Sequence, residues 1–213
     1  NLINEVNKKI KKKINIGVRL NPNIDGETLD KISTGKKTDK FGISAEDIDS
    51  IITSIESSNY LNLISISCHV GSQISNIKVY EKIFIKMKKI ASYVLSKGVE
   101  LKHVDLGGGF AVNYQKINND LNIKMIGRLV QFIFQKTPYK ISFEPGRYLV
   151  AKSGIIITKI LTSKKNGGIN FLVTDAGMHT LIRPAMYGAE HRVTALNDLE
   201  KNNENYNIVG PIC

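Results

Sequence analysis

Along the first 150 residues the spacing of apolar positions switches repeatedly between a period of two and a period near 3.6. Residues 16–20 (IGVRL) form a short buried-strand pattern, ended by Asn21-Pro22. Over 45–56, Ile48, Ile51, Ile52 and Ile55 recur at i, i+3, i+4 and i+7, which predicts a helix. Ser44 stands where a cap belongs, with Asp47 three residues on. Residues 63–70 (LISISCHV) alternate as a strand, placing Ile64, Ile66, Cys68 and Val70 on one face and Ser65, Ser67 and His69 on the other. A second helix is predicted from Ile77 to Leu95, with Tyr80, Phe84, Met87, Ala91 and Val94 on its apolar side and Gly98 beyond its end. A strand over 101–106, stopped by Gly107, Gly108 and Gly109, a helix over 121–135 and a strand over 140–144, stopped by Pro145-Gly146, complete the pattern.

Strands alternating with helices at about 40 residues per unit argue for parallel βαβ units. An open doubly wound sheet and a TIM-type barrel both fit. The unusual residues favour the barrel. Asn21, the His69–Ser72 segment, Gly107–Gly109 and Glu144–Arg147 all fall at the C-terminal ends of strands, where a barrel gathers its site. The polar faces Ser65-Ser67-His69 and Ser142-Glu144 lead to the same end. The fold expected is α/β: part of a (β/α)8 barrel over residues 1–147, then part of a β domain over 148–213. In the latter, 148–161 and 171–175 read as strands, and further short strands are expected near 192–196 and 206–209. Residues 163–168 read as a turn and 197–205 as a polar loop.

With 42% hydrophobic residues the chain has the makings of a globular core. No apolar run reaches the roughly 18 residues of a membrane-spanning helix. The five lysines among residues 8–13 have no apolar segment behind them, so no signal peptide is visible. Two cysteines, Cys68 and Cys213, make neither a disulfide framework nor a zinc cluster, and a cytoplasmic setting is the simplest expectation. The net charge of +11 invites a nucleic-acid partner. Yet only five of the 30 basic residues are arginine, and no aromatic platform interleaves the lysines. The chain starts without methionine and stops just after an apolar strand pattern, which reads as a piece of something longer.

Several segments carry chemistry. The glycines 107–109 let backbone N–H groups approach an anion, or simply make a tight βα turn; neither nucleotide-binding glycine pattern is present. In Glu144-Pro145-Gly146-Arg147 a carboxylate meets a guanidinium, either as an internal ion pair or with each serving a ligand. His69 precedes a Gly71-Ser72 turn, where it either stacks on a ring beside a bound anion or hydrogen-bonds within the barrel. Cys68 points the other way, as a small core residue. Arg183, with Tyr187 four residues later, either clamps a carboxylate or sits on a surface loop.

Seven strings now stand in order: VRLNPN (18–23), ISTGKKTDKFGIS (32–44), CHVGSQI (68–74), VDLGGGF (104–110), FEPGRYLVAKSG (143–154), VTDAGMHTLIRPAMYGAEHR (173–192) and VGPIC (209–213). Together they resemble the fold type III, pyridoxal-phosphate-dependent amino-acid decarboxylases. The resemblance implies an alanine-racemase-like barrel followed by a β domain, an amino-acid substrate, and a homodimer with its site at the subunit interface. It implies that His69 stacks on the cofactor ring. Ser72, Gly107, Gly108, Gly109 and the Pro145-Gly146-Arg147 turn would hold the cofactor phosphate, and Glu144 would pair with its ring nitrogen. Arg147, Arg183 and Tyr187 would hold the substrate. Cys213 would be the catalytic thiol, donated across the interface. No metal, membrane or nucleic acid is implied. The lysine through which the family holds its cofactor has no counterpart in this sequence, so residues 1–213 alone are expected to be inactive. Arginine, ornithine and carboxynorspermidine decarboxylases share the EPGR string and the glycine turn, and a non-catalytic homologue that keeps the cofactor fold is the alternative of another class. The Gln73 of HVGSQ and the Arg183-Pro184-Ala185-Met186-Tyr187 string lean toward the diaminopimelate-acting members. A guanidinium suits a distal carboxylate and would repel the bare distal amine of ornithine.

Overall fold

The computed structural model describes residues 2–28, 33–114, 121–196 and 204–212. The chain forms two compact units. One takes residues up to Val112 and continues to Ala151; the other begins at Lys152 and includes Asn113 and Tyr114.

The first unit runs α1 (Leu2–Ile10), β1 (Ile14–Asn21), β2 (Ile43–Ser44), a 3-10 turn (Ala45–Asp47), α2 (Ile48–Glu56), β3 (Leu61–Ser67), α3 (Ile77–Ser96), β4 (His103–Gly108), α4 (Ile123–Phe134), β5 (Lys140–Glu144) and α5 (Gly146–Val150). All strand pairings are parallel, in the order β2-β1-β3-β4-β5. Apart from the two-residue β2, which pairs with the outer side of β1, the spatial order β1-β3-β4-β5 follows the chain. This is the arrangement of part of an α/β barrel.

The strand register sorts residues into layers. Val18, Ile66, Val104 and Ile141 lie side by side on one face of the sheet. They join Tyr80, Phe84, Met87, Ala91 and Val94 of α3 and Ile126, Ile133 and Phe134 of α4 in one apolar core. The other face carries a row of Arg19, Ser67, Asp105 and Ser142, preceded by a row of Gly17, Ser65, His103 and Lys140. The helices therefore cover one face, and polar side chains line the other toward the C-terminal strand ends.

Several details differ from the sequence expectation, among them the turn expected over 163–168, of which residues 163–166 are strand. The register between β1 and β3 slips at Ile16/Gly17, so Leu63 pairs with Ile16 and Ser65 with Gly17. Ile64 is the extra residue, and Leu63 takes its place in the core with Ile66, Cys68 and Val70. The helix expected over 45–56 opens as a 3-10 turn. The Ser44 hydroxyl accepts from the Glu46 N–H at 3.2 Å, and no side chain caps α2 itself. The strand expected over 148–161 is the short α5, then irregular backbone, then the start of a strand at Ile160; an apolar run of this kind does not declare its period.

The second unit holds β6 (Ile160–Asn166), β7 (Ile169–Thr174), α6 (Arg183–Tyr187) and β8 (Tyr206–Val209). β6 and β7 form a hairpin across Gly167-Gly168, both with positive φ (55° and 80°), as a two-residue primed turn demands. β8 joins β7 in parallel to complete a three-stranded mixed sheet. No strand forms at 192–196, and the loop expected at 197–205 lies largely outside the described residues. α6 starts with Pro184 in its first turn and ends at Gly188, whose φ of 60° makes a left-handed cap.

Candidate cofactor and substrate site

The end of β4 explains the three glycines. Asp105 pairs with Ser142 and Gly108 with Glu144, so β4 carries one residue more than β5 between those pairs. Gly107 (φ 73°) lies within the bulge, and Gly109 (φ 79°) turns the chain just past it. A Cβ on Gly107 would stand 2.3 Å from the Cys68 carbonyl oxygen, one on Gly108 would stand 2.0 Å from that of Glu144, and one on Gly109 would stand 2.2 Å from that of Gly71. The ends of three strands are packed backbone to backbone here, which only glycine permits. Asp105 takes up the hydrogen bonds that the bulge displaces. Its carboxylate accepts from the Gly107 N–H at 2.8 Å and from the Ser142 hydroxyl at 2.8 Å. From beneath, the buried Tyr80 donates to the Gly108 carbonyl at 3.5 Å, and burial raises its phenol above the ordinary range.

His69 stands beside this turn. Its Nδ1 lies 3.3 Å from the Gly108 N–H donor and 3.3 Å from Oε2 of Glu144. The two contacts are exclusive as hydrogen bonds. Nδ1 accepts from Gly108 when unprotonated and donates to Glu144 only when protonated. In the first state the Glu144 carboxylate, more than half exposed, has its acceptor oxygens free for another N–H donor. The partner of Glu144 in this structure is therefore His69 and not Arg147. Arg147, at the start of α5, keeps a buried Nη1 without a hydrogen-bond partner.

The backbone of His69 is fixed by residues the sequence reading passed over. The Thr34 hydroxyl donates to its carbonyl at 2.7 Å and an Arg19 guanidinium nitrogen at 3.3 Å. Thr34 N–H donates to Val70 O at 3.1 Å. Asp39 holds that loop by accepting from the Ser33 hydroxyl and the Lys36 N–H. Gln73, at φ 63°, binds the backbone of Val112 through both ends of its amide. Ser72 lies half-buried between His69 and Gln73. Cys68 is sealed in the core, and burial pushes its thiol up to about 12, so it stays an inert thiol.

The second unit assembles its own group. The Arg183 guanidinium lies over the Tyr114 ring, 4.8 Å from the centroid. Its Nη1 is 3.4 Å from Nε2 of His191, and the Tyr114 and His191 rings are 4.6 Å apart. The Nε of Arg183 is buried with no partner. Tyr187 is half-buried one helical turn further on. β8 leads to Gly210, which packs so closely on the backbone of Gly177 that a Cβ would stand 2.3 Å from its Cα. Cys213 lies outside the described residues. Among those described, no group of three histidine, cysteine or acidic side chains is arranged to hold a metal ion.

Residues 1–151 match the family model for the pyridoxal binding domain of pyridoxal-dependent decarboxylases. The chain belongs to this family. It is 32% identical to the diaminopimelate decarboxylase of Aquifex aeolicus over 212 residues, all of this chain and 50% of that protein. The crystal structure of diaminopimelate decarboxylase from Helicobacter pylori complexed with L-lysine superposes with a TM-score of 0.93 at 32% identity, covering 99% of this chain and 52% of the other. That from M. jannaschii, in co-complex with L-lysine, gives a TM-score of 0.85 at 31% identity, over 100% and 50% respectively. The chain thus spans about half the length of the relatives it matches. The site residues of the first unit fit the family's cofactor in kind: an imidazole and an exposed carboxylate stand beside the backbone N–H groups of a glycine turn.

Proposed function

We propose that the complete protein decarboxylates meso-2,6-diaminopimelate to L-lysine with pyridoxal 5'-phosphate, as a cytoplasmic homodimer. The observation that carries this reading is the likeness to diaminopimelate decarboxylases over essentially the whole chain, in sequence and in fold. Two of the orphaned buried donors support it: Arg147 Nη1 and Arg183 Nε belong to the two arginines expected to hold the substrate. A buried donor without a partner costs stability, and a bound anion relieves that cost.

Bound pyridoxal phosphate supplies an electron sink for the pair left on Cα when carbon dioxide departs. In this reading His69 offers a face to its ring, with Gly108 orienting the imidazole through Nδ1. Glu144 holds a proton on the ring nitrogen. Ser72, the Gly107–Gly109 turn and the Pro145-Gly146-Arg147 turn bind the phosphate. Arg147, Arg183 and Tyr187 bind the substrate carboxylates, and Cys213 delivers a proton toward Cα in the partner subunit's site. Among the described residues no helix is long and apolar enough to cross a membrane.

Two substitutions in the complete protein test these roles. Glu144→Gln should still bind the cofactor but lose on the order of a hundredfold or more in turnover, because a neutral amide does not hold the ring proton. Wild-type turnover would leave Glu144 only a structural partner of His69. Arg183→Ala should raise KM for diaminopimelate roughly ten- to a few hundredfold with little change in kcat, since the distal contact is the same in ground and transition states. An unchanged KM would refute its assignment.

A further inference from the structure

Arg183 meets two side chains in ways the family likeness does not explain. Its Cζ lies over the Tyr114 ring, its Nη1 meets His191, and those two rings pack against each other. A guanidinium only donates, so the His191 contact is a hydrogen bond when Nε2 is the unprotonated, accepting nitrogen. The Tyr114 ring lies under the guanidinium carbon and the imidazole takes one terminal nitrogen. What remains is the edge containing Nε, which is buried and has no partner. That edge has the fork geometry that binds a carboxylate through two parallel hydrogen bonds.

We propose that Tyr114 and His191 are positioning residues that fix the Arg183 guanidinium in one plane and leave its Nε edge to read the distal carboxylate of the substrate. The inference rests on the reading of Arg183 given above and extends it to two side chains outside the seven strings' expected roles. A long arginine side chain free in solution has many rotamers, and ordering it costs affinity when the ligand binds. A platform that orders it beforehand removes that cost. The sequence separations, 69 residues from Tyr114 to Arg183 and eight to His191, follow from the residue numbers. They explain why no local motif revealed the group.

The test uses the complete, cofactor-loaded protein and the variants Tyr114→Leu, Tyr114→Phe, His191→Ala and Arg183→Ala. Removing one reacting carboxyl from diaminopimelate leaves L-lysine with the distal carboxylate intact, whereas 1,5-diaminopentane has none. Tyr114→Leu and His191→Ala should each raise KM for diaminopimelate and the inhibition constant of L-lysine about three- to tenfold. Neither should change kcat or the inhibition constant of 1,5-diaminopentane. Tyr114→Phe keeps the ring and should behave as wild type. The Arg183 side-chain Nε–H signal should also show a ring-current shift that Tyr114→Leu abolishes. If Arg183→Ala weakens diaminopimelate and L-lysine while Tyr114→Leu and His191→Ala do not, the platform is refuted and the substrate reading stands. If Arg183→Ala is itself silent, the substrate reading falls and takes the platform's purpose with it.

Discussion

At the scale of single residues, the glycines of β4 and the glycine of α4 sit in opposite environments. A Cβ on Gly108 would meet the Glu144 carbonyl at 2.0 Å, and two strand ends would have to separate. A Cβ on Gly127, inside α4, meets nothing within 4 Å. Gly108→Ala should therefore destabilise the protein by about 1–3 kcal/mol or more. Gly127→Ala should stabilise it by roughly 0.5–1 kcal/mol through helix propensity. Urea unfolding midpoints check both, and a neutral Gly108→Ala would mean that the strand ends are less tightly packed than described. His69, Glu144 and the glycine turn were legible in the sequence because each is an unusual residue at a strand end. Arg19, Thr34 and Asp105 were not. Their importance comes from register and from a loop folding back on β3, and neither is written in local spacing.

At the scale of elements, hydrophobic periodicity located β1, α3, α4 and β5 because each buries one face against the same core. It misplaced the inward set of β3 by one residue, since a bulge is invisible to a pattern that assumes strict alternation. It read α5 as strand, since Tyr148-Leu149-Val150 gives no period in so short a run. α1 was not read, although Leu2, Ile3, Val6 and Ile10 recur at helical spacing; in the structure these side chains stay exposed and do not join the core. Within the core, Phe84 is fully buried and packs its ring near those of Tyr80, Phe134 and Phe143, with centroids 6.0–6.2 Å away. It joins α3 to α4 and β5. Phe84→Ala should cost about 3–5 kcal/mol, the range for emptying a buried aromatic site. It should lower the unfolding midpoint without altering KM in whatever protein still folds. A cost below about 1 kcal/mol would show that the helices do not share one packed core.

At the scale of the whole molecule, the polar face of the sheet and the apolar face under the helices divide the work. One builds stability, and the other carries Arg19, Asp105 and Ser142 up to the strand ends where His69, Gly108 and Glu144 meet. The barrel was legible from where the unusual residues fell, and the match to the family's pyridoxal binding domain and to its solved structures bears that out. The function of the complete protein turns on which amino acid it accepts. The most direct measurement is carbon dioxide release by the complete, cofactor-loaded protein from meso-diaminopimelate, L-ornithine and L-arginine in parallel. In the proposed role, Arg183 would favour the dicarboxylate by about 1.5–3 kcal/mol from that contact alone. Turnover of diaminopimelate with kcat/KM at least about tenfold above the other two is the expected result. Preference for ornithine or arginine, or no release from diaminopimelate, would contradict the account.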